Sequence, residues 1–335
     1  MSATKLILVI GATGAQGQAV IDALLAAGEN GAALIATQAQ ALAARGVECV
    51  QGSFSDFTAV AKALDGAYGA WVNTDGSTVD DKEEIYAGMR IFEVAKQTRS
   101  LRHYVWSSLP YFFKKSGYDP NYKTQHADAK GRVSEWLSVQ PSVVSDGSLS
   151  WSIGIFGPMN VRKDGTVVWA APMEDGRVPM IALKDLGWWA RWTFDHRAET
   201  SARELSIASE HVGWEQIAET FTKITGRPAV YKRLALDEWW GHFDANLVDH
   251  PMANEGRRGD GSMTIRENVS AAWRVFRDDL FDKDMEWIRS VHPGTCTLES
   301  WMRENNYDGK APTVLKNALD GKNPWGLKPE VAALL

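Results

Sequence analysis

Cysteine is almost missing from this chain. Cys49 and Cys296 are the two among 335 residues, too few for a disulfide framework. That scarcity fits a reducing compartment, so the expected location is the cytoplasm. Long apolar runs are missing too, and none approaches the about 20 residues of a membrane span. The stretch "KLILVIGATG" is too short, and too soon broken by glycine, for the apolar core of a signal peptide. No long basic run occurs and the net charge is −6, so nucleic-acid binding lacks electrostatic support. "EGRRGDG" is a short basic patch flanked by acids. No HExxH or CxxC pattern is present, and His242 and His250 have no partner at ligand spacing, so no metal is expected. Gly-x-Ser-x-Gly is absent, which leaves no sign of a hydrolase nucleophile elbow. No period of 20–50 residues repeats.

What is present is ordinary globular material, 44% hydrophobic and 23% charged. The 15 tryptophans are many, and most should be core or pocket wall. The first half alternates apolar runs with helical periods. Strands are expected at 5–10, 33–37, 47–50, 70–73, 103–107 and 151–155. Helices are expected at 15–27, 38–45, 81–97 and 124–139. This alternation predicts an α/β chain with a doubly wound parallel sheet. The second half is rich in Gly and Pro, with short β-like runs. It also has amphipathic helices in "WEQIAETFTKITGRP", "AAWRVFRDDLF" and "TLESWMREN", the last capped by Thr297. The expected division is 1–155 for a nucleotide-binding domain and 156–335 for a smaller substrate lobe, some of whose segments return to the first domain.

"LILVIGATGAQGQAV" carries the strongest signal. Gly11, Gly14 and Gly17 follow a strand and open a helix. The first permits a tight turn, the second lets backbone approach a pyrophosphate, and the third lets helix pack on strand. Thr13, Ala15 and Gln16 complete the loop, where helix N–H groups favour phosphate charge. An acid after strand two would mark NAD and an arginine NADP. Here stand Thr37 and Gln38, which specify neither; Gln38 can meet a ribose hydroxyl or simply start a helix. Ser53 and Phe54 follow strand three, where a loop borders adenine, and Asp56 reads better as a helix cap. Asn73, Thr74, Ser107 and Ser108 sit at strand carboxyl ends, where open α/β sheets place ligands.

"NYKTQHADAKG" brings Tyr122, His126 and Lys130 together. His126 and Lys130 are one helical turn apart on one face. A neutral histidine beside a lysine can relay a proton near neutral pH. Two solvated helix residues would show the same spacing.

The ordered set "GATGAQGQAV", "ALAARGVECVQGSFSD", "LRHYVWSSL", "HADAKGRVSEWL", "GRVPMIALKDLG" and "TLESWMREN" resembles the NmrA-like branch of atypical short-chain dehydrogenases. The resemblance runs over almost the whole chain. It implies a Rossmann domain with a small α/β lobe, and NADP or NAD as cofactor, NADP by preference. It places Thr74 near the cofactor and Lys130 at the short-chain active-site lysine. His126 stands where the short-chain tyrosine would be. Phe156, Pro158 and Asn160 fall in the loop that borders the nicotinamide. Two departures stand out. The family's arginine after strand two is missing from "TQAQ", and "QGD" reads "QGS".

The resemblance implies an NAD(P)-dependent oxidoreductase acting on an aromatic or apolar carbonyl, enone, quinone or imine. In it Lys130 would fix the ribose or donate a proton, and His126 or a nearby tyrosine (Tyr111, Tyr118 or Tyr122) would complete proton transfer. Trp188, Trp189, Trp239, Trp240 and Trp273 would wall the pocket or pack the core. The family also holds redox sensors that bind a regulatory protein, and the fold can serve a redox-neutral isomerase or cyclase. A small-molecule substrate is the expected partner; a homodimer and a regulatory complex both stay open, and no membrane or nucleic acid is expected.

Overall fold

In the computed structural model, the sheet begins with a strand that is buried on both faces. The described residues are 5–26, 30–35, 39–76, 79–140, 146–148, 157–252, 262–280, 283–310 and 326–335. β1 (Leu6–Ile10) is apolar throughout, and Ile7, Leu8, Val9 and Ile10 are all buried, as a central parallel strand covered on both sides requires. It leads to α1 (Ala15–Ala26), β2 (Asn30–Ile35), α2 (Ala39–Ala43), β3 (Glu48–Gln51), α3 (Phe57–Leu64) and β4 (Gly69–Val72). Then come α4 (Asp81–Gln97), β5 (His103–Ser108), α5 (Phe112–Lys115), α6 (Gln125–Ser138) and β6 (Asp146–Ser148). The expected strand at 151–155 lies outside the described residues. The strand that pairs with β5 on its outer side is β6.

The later elements are β7 (Asn160–Val161), β8 (Val167–Ala171), β9 (Arg177–Met180), α7 (Leu183–Asp195), α8 (Arg197–Thr200) and β10 (Ser206–Ile207). They continue with β11 (Glu210–Gly213), α9 (Trp214–Thr225), β12 (Ala229–Arg233), α10 (Leu236–Gly241), α11 (Ala245–Val248), α12 (Ile265–Arg277), α13 (Met285–Val291) and α14 (Leu298–Glu304). The chain divides into two compact units. The first holds Met1–Tyr111, His126–Ser150 and Leu183–Ser206, and the second holds the remaining segments.

In the first unit lies a seven-stranded sheet of order β10-β6-β5-β4-β1-β2-β3. The pairs β2/β3, β1/β2, β1/β4, β4/β5 and β5/β6 are all parallel. This is the doubly wound α/β architecture. On one face Leu8, Ile10, Val72 and Trp106 meet Val60 and Leu64 of α3, Ile91 and Phe92 of α4, and Val133 and Leu137 of α6. The other face takes α1 and α7, whose close approach needs Gly187: a Cβ there would lie 2.4 Å from Ala19 O. Phe194 of α7 seats against Gly69 and stands edge-on to His103 at 5.1 Å.

The sheet register sets up the site. Ile10 pairs with Val72, and Val72 pairs with Trp106. The next residue of each strand is Gly11, Asn73 and Ser107, so these three stand side by side at the carboxyl edge.

The second unit contains the three-stranded sheet β12-β8-β7 and the antiparallel pair β11/β9. Its helices follow their local signals. Gly226 ends α9 with φ 72°, and Thr297 caps α14 by accepting from Ser300 N–H. Trp214, Trp239, Trp240, Trp273 and Phe243 pack on one another with ring centroids 4.5–5.8 Å apart. All five are buried, so Trp239, Trp240 and Trp273 are core here. Trp189, in α7 of the first unit, is fully buried as well, and Trp188 stacks on Trp192. Among the described residues no helix is long and apolar enough to cross a membrane.

Candidate functional site

Gly11 turns the chain out of β1 with φ +84°, a backbone region that side chains disfavour. A Cβ on Gly11 would lie 2.9 Å from Asn73 O, and one on Gly17 would lie 2.2 Å from Gly11 O. The first glycine therefore lets strand β4 come close, and the third lets α1 sit on the turn. Gly14 is different. Its N–H donates to Gly11 O at 3.0 Å, and a Cβ there would meet that oxygen alone, at 3.3 Å. These are the steric demands of a dinucleotide loop, and the glycines fit them.

The loop is tied inward by side chains. Ser107 Oγ donates to Gln16 Oε1 at 3.0 Å, and Gln18 Nε2 donates to Ala12 O at 2.8 Å. Thr13, Ala15 and Gln16 are each half-buried.

Beside the loop, β4 ends in Asn73 and Thr74. Asn73 N–H donates to Ile10 O at 3.3 Å, which joins the ends of β1 and β4. Lys130 of α6 reaches this point with its ammonium buried. Nζ donates to Asn73 Oδ1 at 3.0 Å, to Thr74 O at 2.9 Å and to Thr74 Oγ1 at 2.9 Å. Glu84 Oε1 lies 3.3 Å away, and the Trp106 ring faces the ammonium at 5.1 Å. The Thr74 hydroxyl in turn donates to Glu84 Oε1 at 2.7 Å. Glu84 is fully buried, and its Oε2 has no hydrogen-bond partner among the described residues. An unpaired buried acceptor costs about 1–3 kcal/mol. Oε2 faces Gly76, where a Cβ would lie 2.4 Å from it.

α6 is held from behind. Trp106 Nε1 donates to Lys130 O at 3.3 Å, and Ser134 Oγ lies 2.5 Å from Ser108 Oγ. Gly131 allows the backbone of Tyr111 to approach, since a Cβ would lie 2.6 Å from Tyr111 N. His126 is half-buried one turn before Lys130.

The other candidates are placed as follows. Ser53 is exposed and bonds Ser55, while Phe54 packs against the core under α3. Asp56 caps α3, accepting from Thr58 and Ala59 N–H at 3.1 Å. Thr37, Gln38 and Phe156 lie outside the described residues. Pro158 and Asn160 belong to the second unit, where Asn160 pairs with Val168.

The three tyrosines are all engaged. Tyr111 OH accepts from Arg132 Nε at 3.0 Å. Tyr118 is exposed, with its ring edge-on to Phe113. Tyr122 lies in the second unit and donates to Asp278 Oδ2 at 2.8 Å. That bond to the carboxylate, with partial burial, holds the phenol above its ordinary pKa. Gln125, which opens α6, donates its N–H to the buried Asn268 Oδ1 at 2.8 Å.

Glu84, Trp106 and Asn268 were not singled out by the sequence. Glu84 sits beside Glu83 in the acidic first turn of α4 and differs from it only in facing inward.

Residues 3–254 match the model of the NmrA-like family. The chain belongs to the NmrA-like family. An Aspergillus japonicus protein described as "NmrA-like family domain-containing oxidoreductase himF" is 26% identical over 271 residues, covering 74% of this chain and 80% of its own. A Streptomyces griseus (4-alkanoyl-5-oxo-2,5-dihydrofuran-3-yl)methyl phosphate reductase is 28% identical over 240 residues, covering 69% and 78%. Among solved structures, NmrA, a negative transcriptional regulator in complex with NAD, superposes with a TM-score of 0.71 at 18% identity. That match covers 96% of this chain and 99% of NmrA. The likeness to NmrA is one of fold.

Proposed function

We propose that this NmrA-like chain is an NAD(P)-dependent reductase. Its substrate is an aromatic or apolar small molecule bearing a carbonyl, enone, quinone or imine. One observation carries the reading: Asn73 packs its backbone oxygen against Gly11 and accepts from Lys130 through its side chain. The glycine loop and the buried lysine thus meet at a single residue on the carboxyl edge of the sheet, where open α/β sheets place nucleotides. The curated relatives described as an oxidoreductase and a reductase support the same class of chemistry.

The loop 11–17 would hold the pyrophosphate through the first N–H groups of α1. Asn73, Thr74, Ser107 and Lys130 would border the nicotinamide half. The bound cofactor supplies hydride-transfer chemistry. His126, half-buried on the same face as Lys130, would hand a proton to the reduced substrate. NADP is the preferred dinucleotide by family, although no residue of the described set specifies the ribose phosphate. The test is oxidation of NADPH and NADH against a panel of quinones, enones and cyclic imines. Turnover with either nucleotide is expected; tight binding with no turnover across the panel would sink the reductase reading.

A second reading has a specific observation behind it. The Lys130 ammonium and the Tyr122 hydroxyl are both committed to internal partners. A chain that binds nucleotide while its lysine and this tyrosine are so committed suits a redox sensor with a protein partner. Binding of NADPH and NADP with no turnover, and a nucleotide-dependent change in assembly by light scattering, would select that reading.

A further inference from the structure

We propose that Glu84 is a positioning residue that acts through Lys130. The inference rests on the nucleotide-binding reading of this site and deepens it.

An ammonium has three N–H groups. Those of Lys130 have three near acceptors, Asn73 Oδ1, Thr74 O and Thr74 Oγ1, all at 2.9–3.0 Å. None is left for an outside acceptor unless one of these bonds opens. Lys130 therefore works on the end of β4 before it works on any ligand. The resemblance to short-chain enzymes implies a lysine aimed at the ribose; the geometry instead points to a clamp.

A buried ammonium also needs a counter-charge. Glu84 supplies it at 3.3 Å and accepts a hydrogen bond from the Thr74 hydroxyl as well. The direction of each bond follows. Lys130 donates to Thr74 Oγ1, and Thr74 can then donate only to Glu84. The carboxylate thus fixes both the charge of Lys130 and the hydroxyl orientation of Thr74. Asn73, held by the same ammonium, presses its carbonyl on Gly11. A chain of contacts runs from α4 through Lys130 to the turn of the glycine loop. Gly76 lets the chain after β4 close on this carboxylate, since a Cβ there would lie 2.4 Å from Oε2.

The experiment is a double-mutant cycle of Glu84→Gln, Lys130→Met and both together. It is read by NADPH fluorescence titration and by the thermal midpoint. Gly69→Ala serves as a structural control, since its Cβ would press on Phe194 at the other end of the strand. Glu84→Gln is expected to weaken NADPH binding about tenfold, a coupling of the size contacting residues show. The same change in the Lys130→Met background should have little effect. The thermal midpoint should fall in Glu84→Gln and partly recover in the double variant. Gly69→Ala should lower the midpoint and leave affinity within about twofold.

Folding of the double variant where Glu84→Gln alone fails would also support the clamp. Equal losses in both backgrounds, failure of both variants to fold, or no effect of Glu84→Gln would overturn it. A wild-type chain that binds neither NADPH nor NADH overturns the nucleotide reading instead, and the thermal arm of the cycle then decides the clamp by itself.

Discussion

The two ends of strand β5 carry polar groups of opposite kind. At the carboxyl end, Ser107 and Ser108 join a network with Gln16, Ser134 and the backbone of Lys130. At the amino end, His103 is buried beside Phe194, and neither ring nitrogen has a hydrogen-bond partner among the described residues. Burial first, then the charges of Arg197 and Lys5, press its pKa down to about 4. Polar atoms at the carboxyl end are held in fixed directions; the histidine at the amino end is packed as a neutral ring. The lesson is that burial by itself marks no site. What separates the ends is whether the buried polar groups hold one another in place.

Four measurements can break or sharpen that comparison. The largest effect is expected from Lys130→Met. It leaves the Glu84 carboxylate buried without its counter-charge, at a cost of about 3–5 kcal/mol. Urea denaturation checks it, and a loss below 1 kcal/mol would show that the charge is not held as described.

The next concerns pH. The folded-state pKa of His103 is depressed, so the unfolded chain takes up its proton first. Its contribution is complete above the ordinary value of 6.5 and is lost as pH falls toward about 4. The shift corresponds to about 3 kcal/mol. Denaturation of wild type and His103→Leu at several pH values should show a shallower acid decline in the variant. Parallel declines would mean that the ring is charged or solvated in the folded chain.

Gly131→Ala tests how closely α6 sits at the carboxyl end. Its Cβ would lie 2.6 Å from Tyr111 N, a backbone atom that cannot swing away. Overpacking of this kind costs about 1–3 kcal/mol. A thermal midpoint equal to wild type would show slack in the seat of the helix.

The smallest effect belongs to Tyr122→Phe. It removes one partly exposed hydrogen bond to Asp278, a loss of about 1 kcal/mol or less. Turnover is expected to survive it. A loss of kcat of a hundredfold or more would mark Tyr122 as a proton donor.

Local signals were readable without coordinates wherever one residue decides the outcome. Gly226 stops α9, Thr297 caps α14 and Asp56 caps α3, each through its own backbone geometry or side chain. Helix α4 spans Asp81–Gln97, the range its apolar period marks. Glu84 was not readable, because Glu83 and Glu84 are chemically equal in the string. Only the phase of the helix against the sheet turns one to solvent and the other to Lys130. The same holds for Trp239, Trp240 and Trp273, whose clustering depends on bringing α10 and α12 together in space.

By itself, then, the sequence determined the alternation of strands and helices, the glycine turn at the end of β1, and the one-turn spacing of His126 and Lys130. These depend on residues near in the chain, whose torsions and periodicity are local. Which oxygen atoms the Lys130 ammonium meets was decided by tertiary structure. The strand order places β4 between β1 and β5, and the register lines up Gly11, Asn73 and Ser107. A charge can enter the interior only where acceptors and a counter-charge already converge; the end of β4 and α4 make that convergence, and Lys130 comes to it from 56 residues beyond Thr74.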